Sequence, residues 1–144
     1  MAVPKIVKVG FAKFGNIGSA PLLECLLDER AERQDIQVRV IGSGAKMTPE
    51  DASEVALKVA DFRPNFALVV SPNASLPGPS KARSILKESK IPTIVVSDGP
   101  AKKAVKQFEE DGFGYLIVEA DSMIGARREF LDPVEMALFN ADLI

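Results

Sequence analysis

The fold turns on Phe66-Ala67-Leu68-Val69-Val70-Ser71-Pro72-Asn73. Its first five residues are apolar without interruption, and three small or polar residues then close the run. A strand with one face in water alternates apolar and polar side chains, whereas a strand covered on both faces does not. Phe66–Val70 therefore predicts a strand of a parallel sheet covered on both faces. Working outward, four further runs read the same way: Ile6–Phe11, Val38–Ile41, Thr93–Val96 (led in by Pro92) and Gly114–Val118.

Helical patterns fill the intervals. Leu22, Leu23, Leu26 and Leu27 form the expected buried stripe of a helix over about Pro21–Arg33, with Ser19 as its cap and Cys25 as a small core residue. Thr48-Pro49-Glu50-Asp51 announces a second helix reaching about Phe62, with Val55, Val59 and Phe62 turned inward. The threonine caps it, the proline sits where its missing N–H is harmless, and the acids meet the positive end of the dipole. Ser80–Glu88 and Ala101–Asp111 complete the set, and Gly112 stops the last of these. Strand and helix in strict alternation imply a doubly wound α/β domain, a mostly parallel sheet of about five strands with helices on both faces. That domain is expected over residues 1–131.

The remainder, residues 132–144, breaks the rhythm. Asp132-Pro133 starts a new helix, with Val134, Ala137, Leu138 and Ala141 on one apolar face and Met136, Phe139 and Leu143 on a second. A helix apolar on two sides is buried on two sides. With no closing signal before Ile144, the segment reads as the start of a truncated helical or oligomerisation element, or else as an ordinary terminal helix packed on its own domain.

Composition narrows the chemistry. A net charge of −2 and no basic patch give nucleic acid or an acidic membrane no electrostatic handle. One cysteine, no signal peptide and no apolar run of spanning length point to a reducing cytoplasm. The chain has no histidine, so triads, His–Cys dyads and histidine-ligated metals are excluded within it, and no metal site is expected.

In doubly wound folds the ligand crevice lies at the carboxyl ends of the strands. The loops there are Lys13-Phe14-Gly15-Asn16-Ile17-Gly18-Ser19, Gly42-Ser43-Gly44-Ala45-Lys46, Ser71-Pro72-Asn73, Ser97-Asp98-Gly99-Pro100 and Asp121-Ser122-Met123-Ile124-Gly125. Small residues admit a ligand to the backbone, and each loop opens a helix whose free amides favour anions. The first loop has G-N-I-G and not the dinucleotide fingerprint, the second strand ends without a ribose-binding acid, and no G-K-[ST] marks a P-loop. Ser71 stands where a phospho-acceptor domain needs an aspartate. Lys13, Lys46 and Arg127 are candidate anion ligands; Asp98 and Asp121 are the best-placed acids, with helix capping as the competing role.

Several motifs together resemble the archaeal coenzyme F420-dependent methylenetetrahydromethanopterin dehydrogenases. They are K-F-G-N-I-G-S, L-L-D-E-R-A-E-R, V-R-V-I-G-S-G-A-K-M, S-P-N-A-S-L-P-G-P-S-K-A-R and M-I-G-A-R-R-E-F-L-D-P-V-E-M-A-L-F-N-A-D-L. The resemblance implies an oxidoreductase passing a hydride directly between methylenetetrahydromethanopterin and coenzyme F420, with no metal, no nicotinamide and no catalytic side chain. It further implies a homo-oligomer, hexamers among them, acting in one-carbon metabolism and methanogenesis or its reverse. Carried onto this chain, the coenzyme-binding set is Lys13, Gly15, Asn16, Ser43, Ser71, Pro72, Asn73, Ser97, Asp98, Gly99, Pro100, Asp121, Met123 and Arg127, with Arg127 meeting the anionic coenzyme tail. Family members are longer by a helical domain and a small terminal segment. They usually carry C-G-N, G-P-N-P-A-A-P-G-P and G-D-A-P-G, so that Phe14, Ser71 and Ser97 add bulk at the strand ends here.

Overall fold

The computed structural model describes residues 5–28 and 31–119. The segment from Asp121 onward, with its terminal helical motif and the proposed boundary at 131/132, lies outside the described residues. The elements are β1 (Val7–Lys13), α1 (Ser19–Asp28), β2 (Ile36–Gly42), α2 (Pro49–Asp61), β3 (Phe66–Ser71), α3 (Pro77–Glu88), β4 (Thr93–Asp98), a 3-10 helix (Gly99–Ala104), α4 (Val105–Glu110) and β5 (Gly114–Val118). All four strand pairings are parallel, in the order β2-β1-β3-β4-β5.

That order makes β3 the centre of the sheet. Five of its six residues are buried. Alternation along the strands then sends side chains to two cores. Ala12, Phe14, Ala67 and Val69 meet α2 and α3 through Ala52, Val55, Ala56, Val59, Ala82 and Leu86. Val9, Phe11, Leu68, Val70 and Val96 meet α1 through Ile17, Ala20, Leu23 and Leu27 on the other face. A third cluster seats Phe108 of α4 against Val95 and Phe113.

The helix starts differ from expectation in instructive ways. Ser19 is the first helical residue of α1, not a flanking cap. Only Leu23 and Leu27 pack inward; Leu22 and Leu26 are exposed, and so is Cys25, which is not a core residue. Two leucine pairs at i, i+4 spacing compete for one inward face, and the sheet accepts the pair aligned with Val9 and Phe11. Phe62 closes α2 at its edge, beneath the Lys8 ammonium, 4.2 Å from the ring centroid. α3 begins at Pro77 and not Ser80, because a proline in the first turn loses no hydrogen bond. The first part of the expected fourth helix is 3-10. Gly112 ends α4 as expected, at φ +78°, and the Phe113 amide bonds the Phe108 carbonyl at 2.9 Å.

Candidate functional site

From β1 the chain winds one way to β2, then returns across to β3 on the other side. The connections after β1 and β3 consequently lead to helices on opposite faces of the sheet, and doubly wound folds bind their ligands at the carboxyl edge beside such a reversal point. Three loops and the first turn of α3 interlock there.

The Phe14 amide continues the ladder to the Val70 carbonyl at 2.9 Å, burying its ring completely. Gly15 follows at φ +70°, its amide bonded to the Gly44 carbonyl at 2.9 Å. A Cβ there would stand 2.8 Å from Met47 Sδ and 3.3 Å from Pro72 Cδ, so both conformation and space demand glycine. The Ser43 amide bonds the Lys13 carbonyl at 3.0 Å, which ties the second loop to the first. Gly78 ties α3 to the same place, because a Cβ on it would lie 2.1 Å from the Met47 carbonyl oxygen.

The predicted residues divide accordingly. Lys13, Gly15, Asn16, Pro72 and Asn73 are gathered at the reversal point, with Asn16 exposed and Lys13 half-buried. Among the described residues Lys13 forms no ion pair. Asn73 Oδ1 accepts from the Ser75 amide at 3.1 Å and from Ser75 Oγ at 2.6 Å, folding its loop on itself. Ser43 turns its hydroxyl to the Lys46 carbonyl in its own loop. Ser71 and Ser97 are register partners and fully buried, so neither hydroxyl lines an open wall. Ser97 Oγ accepts the Ala74 amide at 2.9 Å, while Ser71 Oγ has no hydrogen-bond partner among the described residues. Asp98 is buried at the end of β4, and Gly99 and Pro100 open the 3-10 helix beyond it. Asp121, Met123 and Arg127 lie outside the described residues.

Helix amides contribute less anion affinity here than the loop pattern suggests. α2 meets its own acids, Glu50 and Asp51, and the Asp51 amide is taken by Thr48 Oγ1 at 3.2 Å. α3 opens Pro77-Gly78-Pro79, leaving one amide where an unsubstituted first turn offers three. An anion near the starts of α2 and α3 must rely on cationic side chains.

Sequence reasoning passed over Met47, Gly78 and Arg83. Arg83 is 5% exposed; its Nη1 donates to the Ala74 carbonyl at 2.6 Å and its Cζ lies 4.7 Å from the Phe108 ring centroid. The signal was present in Pro79, Ala82, Arg83 and Leu86, which place an arginine on the buried stripe of α3. Burial lowers its pKa to about 10, opposed by the nearby Asp111, so it remains a cation at neutral pH. Beside it a cleft of about 240 Å³ runs between α3 and α4, lined by Ser80, Ser84, Lys87, Gln107 and Asp111. Its charges largely cancel, since Lys87 pairs with Asp111 at 2.7 Å and holds that carboxyl below its usual range. A second hollow, bounded by Leu57, Pro64 and Ile91, lies at the opposite edge of the sheet. We place the candidate site at the reversal point and not in either hollow, because the loops after β1, β2 and β3 meet there at the carboxyl ends of the strands. Among the described residues no three metal-ligating side chains converge, and no helix is long and apolar enough to cross a membrane.

Comparison with known proteins bears on the same loops. The family model for methylene-5,6,7,8-tetrahydromethanopterin dehydrogenase matches residues 7–144, the terminal motif included. The F420-dependent methylenetetrahydromethanopterin dehydrogenase of Archaeoglobus fulgidus is 63% identical over 139 residues, covering 96% of this chain and 50% of its own. That of Methanocaldococcus jannaschii is 54% identical over 140 residues with the same coverage. A solved structure of such a dehydrogenase, in complex with methylene-tetrahydromethanopterin and coenzyme F420, superposes with a TM-score of 0.84 at 48% identity, over 96% of this chain and 51% of that one. The chain thus spans about half the length of the curated relatives it matches. A family match over residues 7–144, with identity of this degree over 96% of the chain, shows that the chain belongs to the methylene-5,6,7,8-tetrahydromethanopterin dehydrogenase family.

Proposed function

We propose that this chain forms the coenzyme-binding α/β part of an F420-dependent oxidoreductase that transfers a hydride between methylenetetrahydromethanopterin and coenzyme F420. The observation carrying this reading is the 48%-identical superposition on a dehydrogenase whose structure holds both molecules. The local geometry supports it with a braced strand-end junction, in which Met47 and Pro72 close on Gly15 and the first turn of α3 closes on Met47 through Gly78.

Coenzyme F420, when bound, supplies a deazaflavin ring that exchanges a hydride with the pterin carbon. The protein's part is then positioning, since direct transfer requires the two carbons held close and aligned and asks for no side-chain base. Gly15, Asn16, Pro72 and Asn73 provide a floor whose backbone is fixed by the interlocked loops. Lys13 presents a cation at the edge of that floor, and Arg127 is assigned to the anionic coenzyme tail. Asp98, Gly99, Pro100, Asp121 and Met123 complete the proposed lining, with Ser43, Ser71 and Ser97 supporting it from within. The same reading includes assembly with further copies and residence in a reducing cytoplasm, where the exposed thiol of Cys25 stays free.

Titrating the purified chain with coenzyme F420, by absorbance and fluorescence, with and without methylenetetrahydromethanopterin, tests this directly. Saturable binding and pterin-dependent reduction are expected. Binding without reduction would confine the chain to coenzyme capture, and absence of binding would sink the assignment.

A further inference from the structure

Ala74 lies at the middle of the β3–α3 loop, and both of its backbone groups are held by buried side chains from other elements. Its amide donates to Ser97 Oγ of β4 at 2.9 Å, and its carbonyl accepts from Arg83 Nη1 of α3 at 2.6 Å. Ala74 and Ser97 are completely buried, and Arg83 is 5% exposed. Arg83 is itself seated by the Phe108 ring beneath its guanidinium. Two buried side chains gripping one peptide segment from opposite sides is an expensive arrangement. An arginine buried without a carboxylate in hydrogen-bond contact carries a desolvation cost, which a purely packing role would meet better with leucine or methionine. The beneficiary is identifiable by position. Pro72 and Asn73, immediately before Ala74, belong to the loop at the reversal point, and Pro72 packs on Gly15, where a Cβ would stand 3.3 Å from its Cδ.

We propose that Arg83 and Ser97 are positioning residues for the ligand site, clamping Ala74 so that Pro72 and Asn73 hold a single geometry against Gly15. The inference rests on the functional reading above and deepens it: neither side chain touches coenzyme, and both act through the loop. Without the Ser97 hydroxyl the Ala74 amide is buried without an acceptor; without the guanidinium its carbonyl is buried without a donor. The loop then relieves the loss by moving toward water, carrying Pro72 and Asn73 away from Gly15.

The test uses the full chain and the variants Ser97→Ala, Ser97→Thr, Arg83→Met and Arg83→Lys, each under conditions where urea unfolding curves show it fully folded. Hydrogen exchange of the Ala74 amide, by NMR, reads the clamp, and coenzyme F420 affinity by fluorescence reads its purpose. Ser97→Ala is expected to speed Ala74 exchange and raise the coenzyme Kd about tenfold, the scale of one lost buried hydrogen bond. Ser97→Thr, which keeps the hydroxyl, restores both. Arg83→Met raises the Kd similarly, and Arg83→Lys recovers part of it through its remaining donor. Unchanged Ala74 exchange in Ser97→Ala overturns the clamp itself. Faster exchange with an unchanged Kd overturns its positioning role. If the unsubstituted chain binds no coenzyme, the functional reading fails with it, and exchange at Ala74 still decides separately whether the clamp exists.

Discussion

The two faces of the sheet are finished to different degrees. Where α2 and α3 cover it, Phe14, Ala52, Ala56, Val59, Val69, Ala82 and Leu86 are all at 0% exposure. On the α1 face Leu22 is 43% exposed, Leu26 71%, and Ile94 and Leu116, which share that face by strand alternation, 38% and 51%. Edge strand β2 has no buried residue, whereas β3 has five. The loops of the candidate site are anchored from the finished side. Gly78 presses on the Met47 carbonyl, Met47 and Pro72 confine Gly15, and Arg83 reaches from α3 into the third loop. The contrast teaches that the fold concentrates its rigidity on the α2–α3 flank and that the site borrows its geometry from there.

The strongest way to break the comparison is to empty the finished side. Phe14→Ala removes a fully buried ring at the junction of β1, β3 and α2, and should cost about 3–5 kcal/mol in urea unfolding. A cost below about 1 kcal/mol would mean this flank repacks freely and is not the rigid half. Gly78→Ala comes next. Its methyl would sit 2.1 Å from the Met47 carbonyl oxygen, a backbone atom with no rotamer to yield. The second and third loops must part, so about 1–3 kcal/mol of stability should go, together with much of the coenzyme affinity. Retention of both would show that the loops are not mutually braced.

The sheet was legible in the sequence because parallel strands buried on both faces leave continuous apolar runs, and Phe66–Val70 could be little else. The inward side of α1 was not, because Leu22/Leu26 and Leu23/Leu27 satisfy the helical period equally and only the opposing sheet chooses between them. Pro77-Gly78-Pro79 resembles a loop to any pattern of helix propensity, yet it forms the first turn of α3, where two missing amides cost little. For the site, the strand-end loops could be picked out by their small residues, and Lys13, Gly15, Asn16, Pro72 and Asn73 do converge. Met47 and Gly78 escaped notice because their contact exists only once the loops after β2 and β3 meet, whereas Arg83 was legible on the buried stripe of α3 and was passed over. The alternation of strand and helix carries no record of the 2-1-3-4-5 order that brings those loops together.

A smaller effect sharpens the comparison at the reversal point. Ser71 Oγ is buried on the finished side without a partner among the described residues, a local exception to its completeness. Ser71→Ala removes a hydroxyl that contributes no bond to the fold, so stability should stay level or rise by up to about 1 kcal/mol. Coenzyme affinity measured on the same variant discriminates further. A drop of several-fold would show that the hydroxyl is reserved for the bound state, and no change would make it an unused remnant of packing.

Leu26→Gln should have the smallest effect, and it tests the unfinished side. Leucine and glutamine have nearly equal helix propensity, so the substitution isolates burial from backbone preference. At 71% exposure Leu26 has little contact to lose within the chain, and the unfolding free energy of the dilute protein should shift by no more than about 0.5 kcal/mol. Sedimentation equilibrium on the same variant separates two origins of that exposure. If Leu26, Leu22 and the Cys25 thiol form a face that another copy covers, glutamine at its centre weakens self-association while leaving dilute stability untouched. If dilute stability itself falls by more than about 1 kcal/mol, α1 is packed far more tightly than its exposed leucines indicate, and the division of the molecule into a finished and an unfinished face is wrong.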